Sequence, residues 1–169
     1  MSETESSGMV QTVLGLVPKE SLGPTTTHEH LLIEFEVMFR PPSEASERHK
    51  AFEPVTLENL AWVRYDPFRN LDNCRLLDED AAISEALRYL RAGGRTMVDA
   101  TTIGIGRDPL ALARISRATG LNIVMGAGYY VDDAHPEGMD GKTDSDIAQE
   151  MVADITMGIG GTGVKAGII

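Results

Sequence analysis

Short apolar runs alternate with longer amphipathic segments in the second half of the chain. Apolar positions recur at helical spacing over residues 78–91, where Ile83, Leu87 and Leu90 fall on one face. Apolar runs with the length of a strand occur at residues 95–100, 121–127 and 163–169. Strands that are apolar on both faces and alternate with helices are typical of βαβ units around a parallel sheet.

Capping residues mark the ends of two further helices. Asp108 precedes Pro109, which gives an N-cap followed by proline at the first helical position, and Gly120 ends this helix. Thr143 resembles the start of a capping box, with Asp in place of the usual Glu or Gln, and the helix that it opens ends at Gly158. Each of these helices therefore lies between two of the apolar runs.

The first 77 residues depart from this regular alternation. Residues 10–17 predict a short strand or hairpin, and residues 24–33 (PTTTHEHLLI) predict the first strand of the main fold. Repeated prolines between residues 34 and 77 predict a long excursion with short helical pieces, one of them at residues 55–65. The acidic and polar residues 1–9 predict a disordered segment.

The number of strands bears directly on the fold class. Residues 24–33 bring the count to four, which is half of the eight strands in a (β/α)₈ barrel of about 250 residues. The sequence ends in the apolar residues 166–169 (AGII), whereas natural termini are usually exposed and polar. We therefore predict an α/β fold in a single domain, 1–169, as the N-terminal half of a TIM barrel that stops before the barrel closes. A flavodoxin-like sheet of four or five strands also fits within 169 residues, but it does not explain a chain that stops inside a strand.

Composition and charge narrow the classes of partner and compartment. The net charge of −11, without a cluster of Lys or Arg, argues against nucleic acid and anionic membranes as partners. No apolar stretch approaches the roughly 20 residues of a transmembrane helix, and residues 1–8 do not resemble a targeting peptide. The single cysteine, Cys74, fits a reducing compartment. We therefore expect a cytoplasmic protein.

The motif His28-Glu29-His30 carries the candidate chemistry. Histidines two residues apart on a strand leave the same face, and two imidazoles that point at one position form half of a metal site. Neutral imidazole suits zinc first, and also cobalt, manganese or iron. A catalytic zinc ion takes three protein ligands, yet His49 and His135 lie in loops, where a solvated histidine is the simpler interpretation. A pair of buried structural histidines is the alternative interpretation of His28 and His30.

Five motifs follow one another from Val10 to the end of the chain without large gaps. They are residues 10–15 (VQTVLG), 22–31 (LGPTTTHEHL), 98–102 with 104–108 (VDATT, GIGRD), 126–130 (GAGYY) and 160–169 (GGTGVKAGII). In this order the motifs resemble the phosphotriesterase family of the amidohydrolase superfamily. The excursion at residues 34–77 resembles phosphotriesterase-related proteins more than the compact organophosphate hydrolases.

The resemblance implies a TIM barrel with two divalent metal ions, usually zinc, with cobalt or manganese as options. His28 and His30 match the family's pair that holds the more buried metal ion. The family's bridging ligand, a carboxylated lysine or a glutamate, follows the Gly-Ile-Ile of the fourth strand, so Lys165 does not match it. The later histidines and the proton-shuttling aspartate are expected beyond residue 169. This chain would then hold two of the six ligands and no catalytic residue of its own.

The resemblance also implies an activity. A metal-bound hydroxide would cleave a phosphoester, lactone or N-acyl amide bond of a small molecule in the full-length protein, which is expected as a possible homodimer. The 169-residue chain would be inactive alone. The alternative is a non-catalytic half-barrel that acts as a binding or assembly module, and this alternative predicts a stable dimer that buries the exposed strand edges.

Further candidate residues follow the predicted strands. Tyr129 and Tyr130 come after the third strand, where loops of a barrel shape the substrate pocket, so both are candidate substrate-binding residues. Packing in the core or against the loop is the alternative role for them. Asp99, Thr101 and Thr102 end the second strand, where a hydrogen bond to a metal-bound histidine and a simple turn role are both open.

The segment that links the second strand to the next helix has its own signals. Residues 104–106 (GIG) lack the third glycine of a dinucleotide-binding fingerprint, so a tight turn between strand and helix explains them better. Arg107 belongs to the helix start in this interpretation. No catalytic role follows for either.

Overall fold

The computed structural model describes residues 8–169 as a mixed α/β arrangement built around a parallel sheet. The strands are β1 (Met9–Thr12), β2 (Gly15–Pro18), β3 (Thr25–Glu29), β4 (Ile33–Glu34), β5 (Arg75–Leu76), β6 (Thr96–Asp99) and β7 (Asn122–Met125). The α-helices are α1 (Leu60–Tyr65), α2 (Glu79–Arg91), α3 (Pro109–Thr119) and α4 (Asp144–Thr156). Short 3₁₀ helices occur at Lys19–Ser21, Glu36–Met38, Arg48–Phe52, Pro67–Arg69, Asp72–Cys74, Ile103–Ile105, Asp132–Ala134, Met139–Gly141 and Ile159–Gly161. Within these described residues, no helix combines the length and the apolar character needed to cross a membrane.

The central sheet has the strand order β3–β6–β7, and both pairings are parallel. Parallel neighbours require a crossover connection. Helix α3 makes that connection between β6 and β7, whereas the excursion and α2 lie between β3 and β6. The predicted βαβ organisation is confirmed for these three strands, and their carboxyl ends meet at one edge of the sheet.

The strand predicted at residues 163–169 is mostly absent. This segment forms one parallel bridge to the end of β7, between Ile168 and Gly126. The Gly167 N–H donates to the Met125 carbonyl of β7 at 2.9 Å, but one residue earlier the Ala166 N–H donates to the Asp154 carbonyl of α4 at 3.0 Å. Pairing beside β7 therefore begins only near the end of the segment, and the prediction of a strand from residue 163 is wrong.

Local capping signals set the ends of α3 and α4 as predicted. The Asp108 carboxylate accepts a hydrogen bond from the Ala111 N–H at 2.9 Å, and Gly120 ends α3 in the left-handed conformation, with φ of 75°. Thr143 and Asp146 form a reciprocal capping box at the start of α4. Such caps typically contribute about 0.5–2 kcal/mol each to helix stability. The ends of both helices therefore follow from residues close in sequence.

The main hydrophobic core lies between the sheet and the helices α2 and α3. Helix α3 packs against both α2 and β7. The side chains of Ile115 on α3 and of Ile123 and Met125 on β7 are fully buried. Burial of one such side chain stabilises the fold by about 1.5–3 kcal/mol. This core therefore fixes the positions of the strand ends of the sheet relative to one another.

The excursion at residues 34–77 is folded, and the antiparallel pair β4–β5 closes its base. Asn70 is fully buried and its side chain donates to the carbonyls of Lys50 (2.9 Å) and Glu53 (2.8 Å). The helix predicted at residues 55–65 is confirmed in part, since α1 begins later, at Leu60. Hydrogen bonds from the buried Asn70 side chain therefore help to fix the path of this segment.

The N-terminal region forms the hairpin predicted at residues 10–17, in which β1 pairs antiparallel with β2. The sequence predicts disorder at residues 1–9, and residues 1–7 of that segment lie outside the described residues. Met9 instead opens β1, and the Gly8 carbonyl accepts a hydrogen bond from the Lys19 N–H at 2.9 Å. Residues 8 and 9, at the end of that predicted segment, therefore contact the hairpin.

Candidate active site

The two histidines of the HxH motif lie together at the carboxyl end of β3. His28 is on the strand and His30 follows it, and their ring centroids are 5.3 Å apart with an angle of 75° between the planes. Between Thr26 and Glu29, β3 contains one residue more than the paired stretch of β6. A bulge of this kind changes the direction of nearby side chains. The structure thus brings the two predicted metal ligands into one place.

Thr101 contacts the second histidine from the neighbouring strand end. Its Oγ1 lies 3.0 Å from Nδ1 of His30 and 3.1 Å from the carbonyl oxygen of Leu32. Thr101 is almost completely buried, so these contacts are shielded from bulk water. The hydrogen bond that the sequence left open for this residue is present.

Asp99 joins the same two strand ends through backbone groups. Its carboxylate accepts hydrogen bonds from the Leu31 N–H (2.8 Å) and from the Thr101 N–H (3.0 Å). Burial raises the pKa of Asp99, and the hydrogen bonds from Leu31 and Thr101 oppose that rise. Asp99 therefore has the turn role considered for it, and it also fixes the backbone directly after His30.

Burial also acts on His30 itself. It lowers the pKa of His30 below its ordinary value, with the carboxylate of Asp99 acting in the opposite direction. A lowered pKa favours the neutral imidazole, which keeps a nitrogen lone pair. This is the form of histidine that binds divalent metal ions.

The loop after β6 is wedged between the segments that follow β3 and β7. A Cβ atom on Gly104 would lie 1.6 Å from the carbonyl oxygen of Ala134, in the β7 loop. A Cβ atom on Gly106, where φ is 88°, would lie 2.9 Å from the backbone nitrogen of Glu34. Only glycine permits both approaches. The interpretation of residues 104–106 as a tight turn is confirmed, and the three loops form one contiguous edge.

Tyr130, a predicted substrate-binding residue, contacts the excursion at this edge. Its side chain is 48% exposed, and its ring centroid lies 5.8 Å from that of Phe35. Phe35 in turn lies 5.9 Å from Phe68. Phe35 follows β4 and Tyr130 follows β7, so this aromatic contact spans the carboxyl end of β6.

Tyr129, the other predicted substrate-binding residue, is tied to α4. Its hydroxyl donates to the carboxylate of Glu150, which also accepts from Lys142 Nζ at 2.7 Å. Lys142 Nζ lies 5.7 Å from the centre of the Tyr129 ring. Burial and the hydrogen bond to Glu150 raise the pKa of Tyr129. These contacts anchor the β7 loop, whereas Tyr130 keeps an accessible face.

Arg107 has a role that the sequence did not predict. Its side chain is only 4% exposed, and it donates to the Asp154 carboxylate (3.0 Å) and the Gly126 carbonyl (3.1 Å). Arg107 thereby ties the β6 loop to the end of β7 and to α4. Both partners are distant in sequence, so no local signal could have identified the contact.

In the described part of the chain, the two histidines of the motif are the metal donors that the structure brings together. Among residues 8–169, no group of three or more His, Cys, Asp or Glu side chains is arranged to hold a metal ion. His49 lies in the 3₁₀ helix Arg48–Phe52 near the carboxylate of Glu53, and His135 lies in the loop after β7 near the carboxylate of Asp132. Two imidazoles, in one of which burial lowers the pKa and so favours the neutral form, fit zinc or a similar divalent ion as part of a larger ligand set.

Comparison with known proteins places the chain in a family. The sequence profile of the Phosphotriesterase family matches residues 8–169. The phosphotriesterase-related protein of Nematostella vectensis is 39% identical over 167 residues, which cover 97% of this chain and 48% of that protein. Human N-acetyltaurine hydrolase is 40% identical over 164 residues, which cover 96% of this chain and 47% of that protein. The chain spans about half the length of the curated relatives that it matches.

Solved structures agree with the sequence relatives. A resiniferatoxin-binding protein from Rhodobacter sphaeroides superposes with a TM-score of 0.93 at 43% identity, over 96% of this chain and 46% of that one. The organophosphorus hydrolase from Deinococcus radiodurans gives a TM-score of 0.63 at 29% identity, over 95% of this chain and 43% of that one. The resemblance found in the sequence motifs is therefore confirmed, and this chain belongs to the phosphotriesterase family.

Proposed function

We propose that this chain forms the N-terminal half of a (β/α)₈ barrel in a metal-dependent hydrolase of phosphotriesterase type. The observation that carries the proposal is the position of His28 and His30. They lie at the carboxyl end of a parallel strand, which is the edge where barrel enzymes have their active sites. Thr101 and Asp99 hold the backbone and ring of this pair from the next strand.

Zinc is the proposed metal, with cobalt or manganese as alternatives, and two ions per complete site. Divalent ions at such a site supply a polarised substrate oxygen and a water nucleophile that ionises near neutral pH. The role of this chain is to present the two imidazoles side by side, with burial favouring the neutral form of His30. The remaining ligands and the proton-shuttling aspartate would come from the other half of the barrel.

An N-acyl amide is the bond that we propose first for the full-length protein. The support is a difference in sequence identity between two groups of relatives. Proteins named N-acetyltaurine hydrolase are 38–40% identical to this chain over 164 residues. The Deinococcus organophosphorus hydrolase and a lactonase variant from that organism are 29% and 30% identical. A lactone and a phosphoester remain the other two candidate bonds. Tyr130 and its neighbour Phe35 are proposed to contact the substrate, with Tyr129 supporting the loop that carries Tyr130.

The test is hydrolysis by the complete protein that carries this chain, loaded with zinc. It is assayed with N-acetyltaurine, a γ-lactone and a phosphotriester, beside the variants His28→Ala, His30→Ala and the control His49→Ala. We expect turnover of the amide, loss of turnover in the first two variants and wild-type rates in the third. Absence of turnover on all three substrates with zinc bound would contradict the proposal, as would full activity in His28→Ala.

A non-catalytic binding module is the second candidate function. The observation in its favour is that the Rhodobacter protein with a TM-score of 0.93 is named for binding resiniferatoxin. Calorimetry with resiniferatoxin on the complete protein would detect such binding. Light scattering on the 169-residue chain tests the assembly form of this alternative, which requires a dimer of defined mass.

A further inference from the structure

The hydroxyl of Thr101 lies between two groups that compete for its single proton. The carbonyl oxygen of Leu32 is 3.1 Å away and Nδ1 of His30 is 3.0 Å away. A carbonyl oxygen can only accept a hydrogen bond, whereas the imidazole nitrogen can accept or donate according to its tautomer. The two contacts are both satisfied in only one arrangement. Thr101 donates to Leu32, and His30 donates from Nδ1 to Thr101.

The opposite arrangement leaves a polar group without a partner. If Thr101 donated to His30, the Leu32 carbonyl would lose the hydroxyl as its donor. Leu32 is 7% exposed and Thr101 is 1% exposed, so water has little access to replace that donor. A buried acceptor without a partner is costly, and native structures rarely contain one.

We propose that Thr101 is a positioning residue that holds His30 as the tautomer with its proton on Nδ1, leaving Nε2 as the metal-binding nitrogen. Asp99 supports this arrangement, because it accepts from the backbone N–H groups of both Leu31 and Thr101. The carboxylate thereby fixes the two backbone segments whose side chains form the pair. The metal-binding part of this inference rests on the proposed function, whereas the tautomer does not.

His28 provides an internal comparison. Within residues 8–169 its ring contacts the ring of His30, and no hydrogen bond to either of its nitrogens is present. Its side chain is also exposed, unlike that of His30. The structure therefore imposes a tautomer on one histidine of the motif and leaves the other free to exchange between both forms.

The first measurement is a two-bond ¹H–¹⁵N correlation spectrum of the complete, metal-free protein labelled with ¹⁵N-histidine. It is recorded at a pH where the imidazoles are neutral, and it distinguishes the protonated from the unprotonated ring nitrogen. We expect His30 to be protonated at Nδ1 alone and His28 to show a mixture of forms. Protonation of His30 at Nε2 in the wild-type protein would overturn the proposal without any variant being needed.

Three variants then separate positioning from general packing. Thr101→Val removes the hydroxyl at nearly constant volume, and Thr101→Ser restores it. Thr102→Val is the matched control, because the buried hydroxyl of Thr102 has no hydrogen-bond partner among residues 8–169. We expect the Nε2–H form of His30 to appear in Thr101→Val and zinc affinity to fall by about 10- to 100-fold. The other two variants should keep the wild-type tautomer and affinity.

The outcomes distinguish this inference from the proposed function. An Nδ1–H tautomer that depends on Thr101, in a protein that hydrolyses none of the candidate bonds, supports the positioning role and contradicts the hydrolase. Hydrolysis in a protein whose His30 tautomer is unchanged by Thr101→Val supports the hydrolase and contradicts the positioning role. If Thr101→Val does not fold, the wild-type spectrum and Thr101→Ser still decide the proposal.

Discussion

The carboxylate of Asp99 accepts a hydrogen bond from the backbone N–H of Leu31 at 2.8 Å. Asp99 is the last residue of β6, and Leu31 directly follows the second histidine of the motif at the end of β3. The contact therefore joins two strand ends at the place where the chemistry is proposed. A change at Asp99 should disturb both the fold and the geometry of His30.

Asp99→Asn tests this relation. The carboxylate accepts from two backbone N–H groups, whereas an amide can present only one oxygen and must turn an N–H₂ group toward the other donor. We expect the free energy of unfolding to fall by about 1–3 kcal/mol, measured by urea denaturation. Asp140→Asn, at an exposed position in the 3₁₀ helix Met139–Gly141, serves as the control and should change stability by less than about 0.5 kcal/mol. Equal effects of the two substitutions would contradict the role given to Asp99.

The pKa of His30 predicts a pH dependence of stability in the metal-free protein. Burial lowers the folded-state pKa of His30, so near pH 6.5 and just below it the unfolded state binds more protons than the folded state. Stability should therefore fall as the pH drops below about 6.5 and should stop falling, for this group, below the folded-state pKa.

The measurement is the free energy of unfolding at pH 7.5 and pH 5.5 for the wild type and for His30→Gln. The variant should lose less stability on acidification than the wild type, because it lacks the group responsible. His49→Gln, which removes a side chain that is 63% exposed, should follow the wild type. An identical loss in the wild type and in His30→Gln would show that His30 does not contribute.

Helix ends could be predicted from the sequence because their determinants are local. Asp108, Gly120 and Thr143 act within four residues of their own positions, and each is placed correctly. The proximity of His28 to His30 also follows from local geometry. Arg107 could not be assigned in this way, because its partners Gly126 and Asp154 are 19 and 47 residues away.

The prediction of a strand at residues 163–169 failed because it too depended on contacts between residues distant in sequence. An apolar run such as residues 163–169 predicts a strand, but a strand also needs a partner with free backbone groups. The Ala166 N–H bonds to the Asp154 carbonyl of α4, and among the described residues pairing beside β7 is limited to the Gly167 N–H on the Met125 carbonyl and the bridge between Ile168 and Gly126. The hydrophobic pattern predicts which residues are buried, but it does not predict which carbonyl each backbone N–H will bond to.

Gly104→Ala tests whether the loop after β6 is held by the loop after β7. The added methyl group would lie 1.6 Å from the carbonyl oxygen of Ala134, which is far inside van der Waals contact, so one of the two loops must move. We expect destabilisation by about 1–3 kcal/mol in urea denaturation. Gly141→Ala is the control, because no atom of the described residues lies within 4 Å of the added Cβ atom there. It should be neutral or stabilising by up to about 1 kcal/mol. A neutral Gly104→Ala would mean that the loops are not in contact in solution.

Arg107 is expected to contribute far more than an exposed arginine. Its side chain is 4% exposed and paired with Asp154, so Arg107→Ala leaves a largely buried carboxylate without its partner. The expected loss is about 3–5 kcal/mol. Arg88→Ala removes an ion pair with Glu85 whose side chains are 70% and 69% exposed, and it should cost less than about 1 kcal/mol. A double-mutant cycle with Asp154→Asn measures the coupling, and additive effects of the two substitutions would contradict a direct pair.

Phe35→Leu tests the contribution of the excursion to the proposed substrate pocket. The ring of Phe35 lies 5.8 Å from that of Tyr130, and aromatic pairs of this kind contribute about 0.5–1.5 kcal/mol beyond their buried area. Loss of the pair should free the exposed face of Tyr130 to change orientation. KM of the zinc-loaded complete protein should then rise by about 2- to 10-fold, with kcat little changed. Phe39→Leu is the control, because Phe39 pairs with Phe52 inside the excursion, with centroids 5.7 Å apart. A fall in kcat at constant KM for Phe35→Leu would instead mean that Phe35 acts on the reacting groups. Equal effects of Phe35→Leu and Phe39→Leu would mean that both substitutions act through the folding of the excursion.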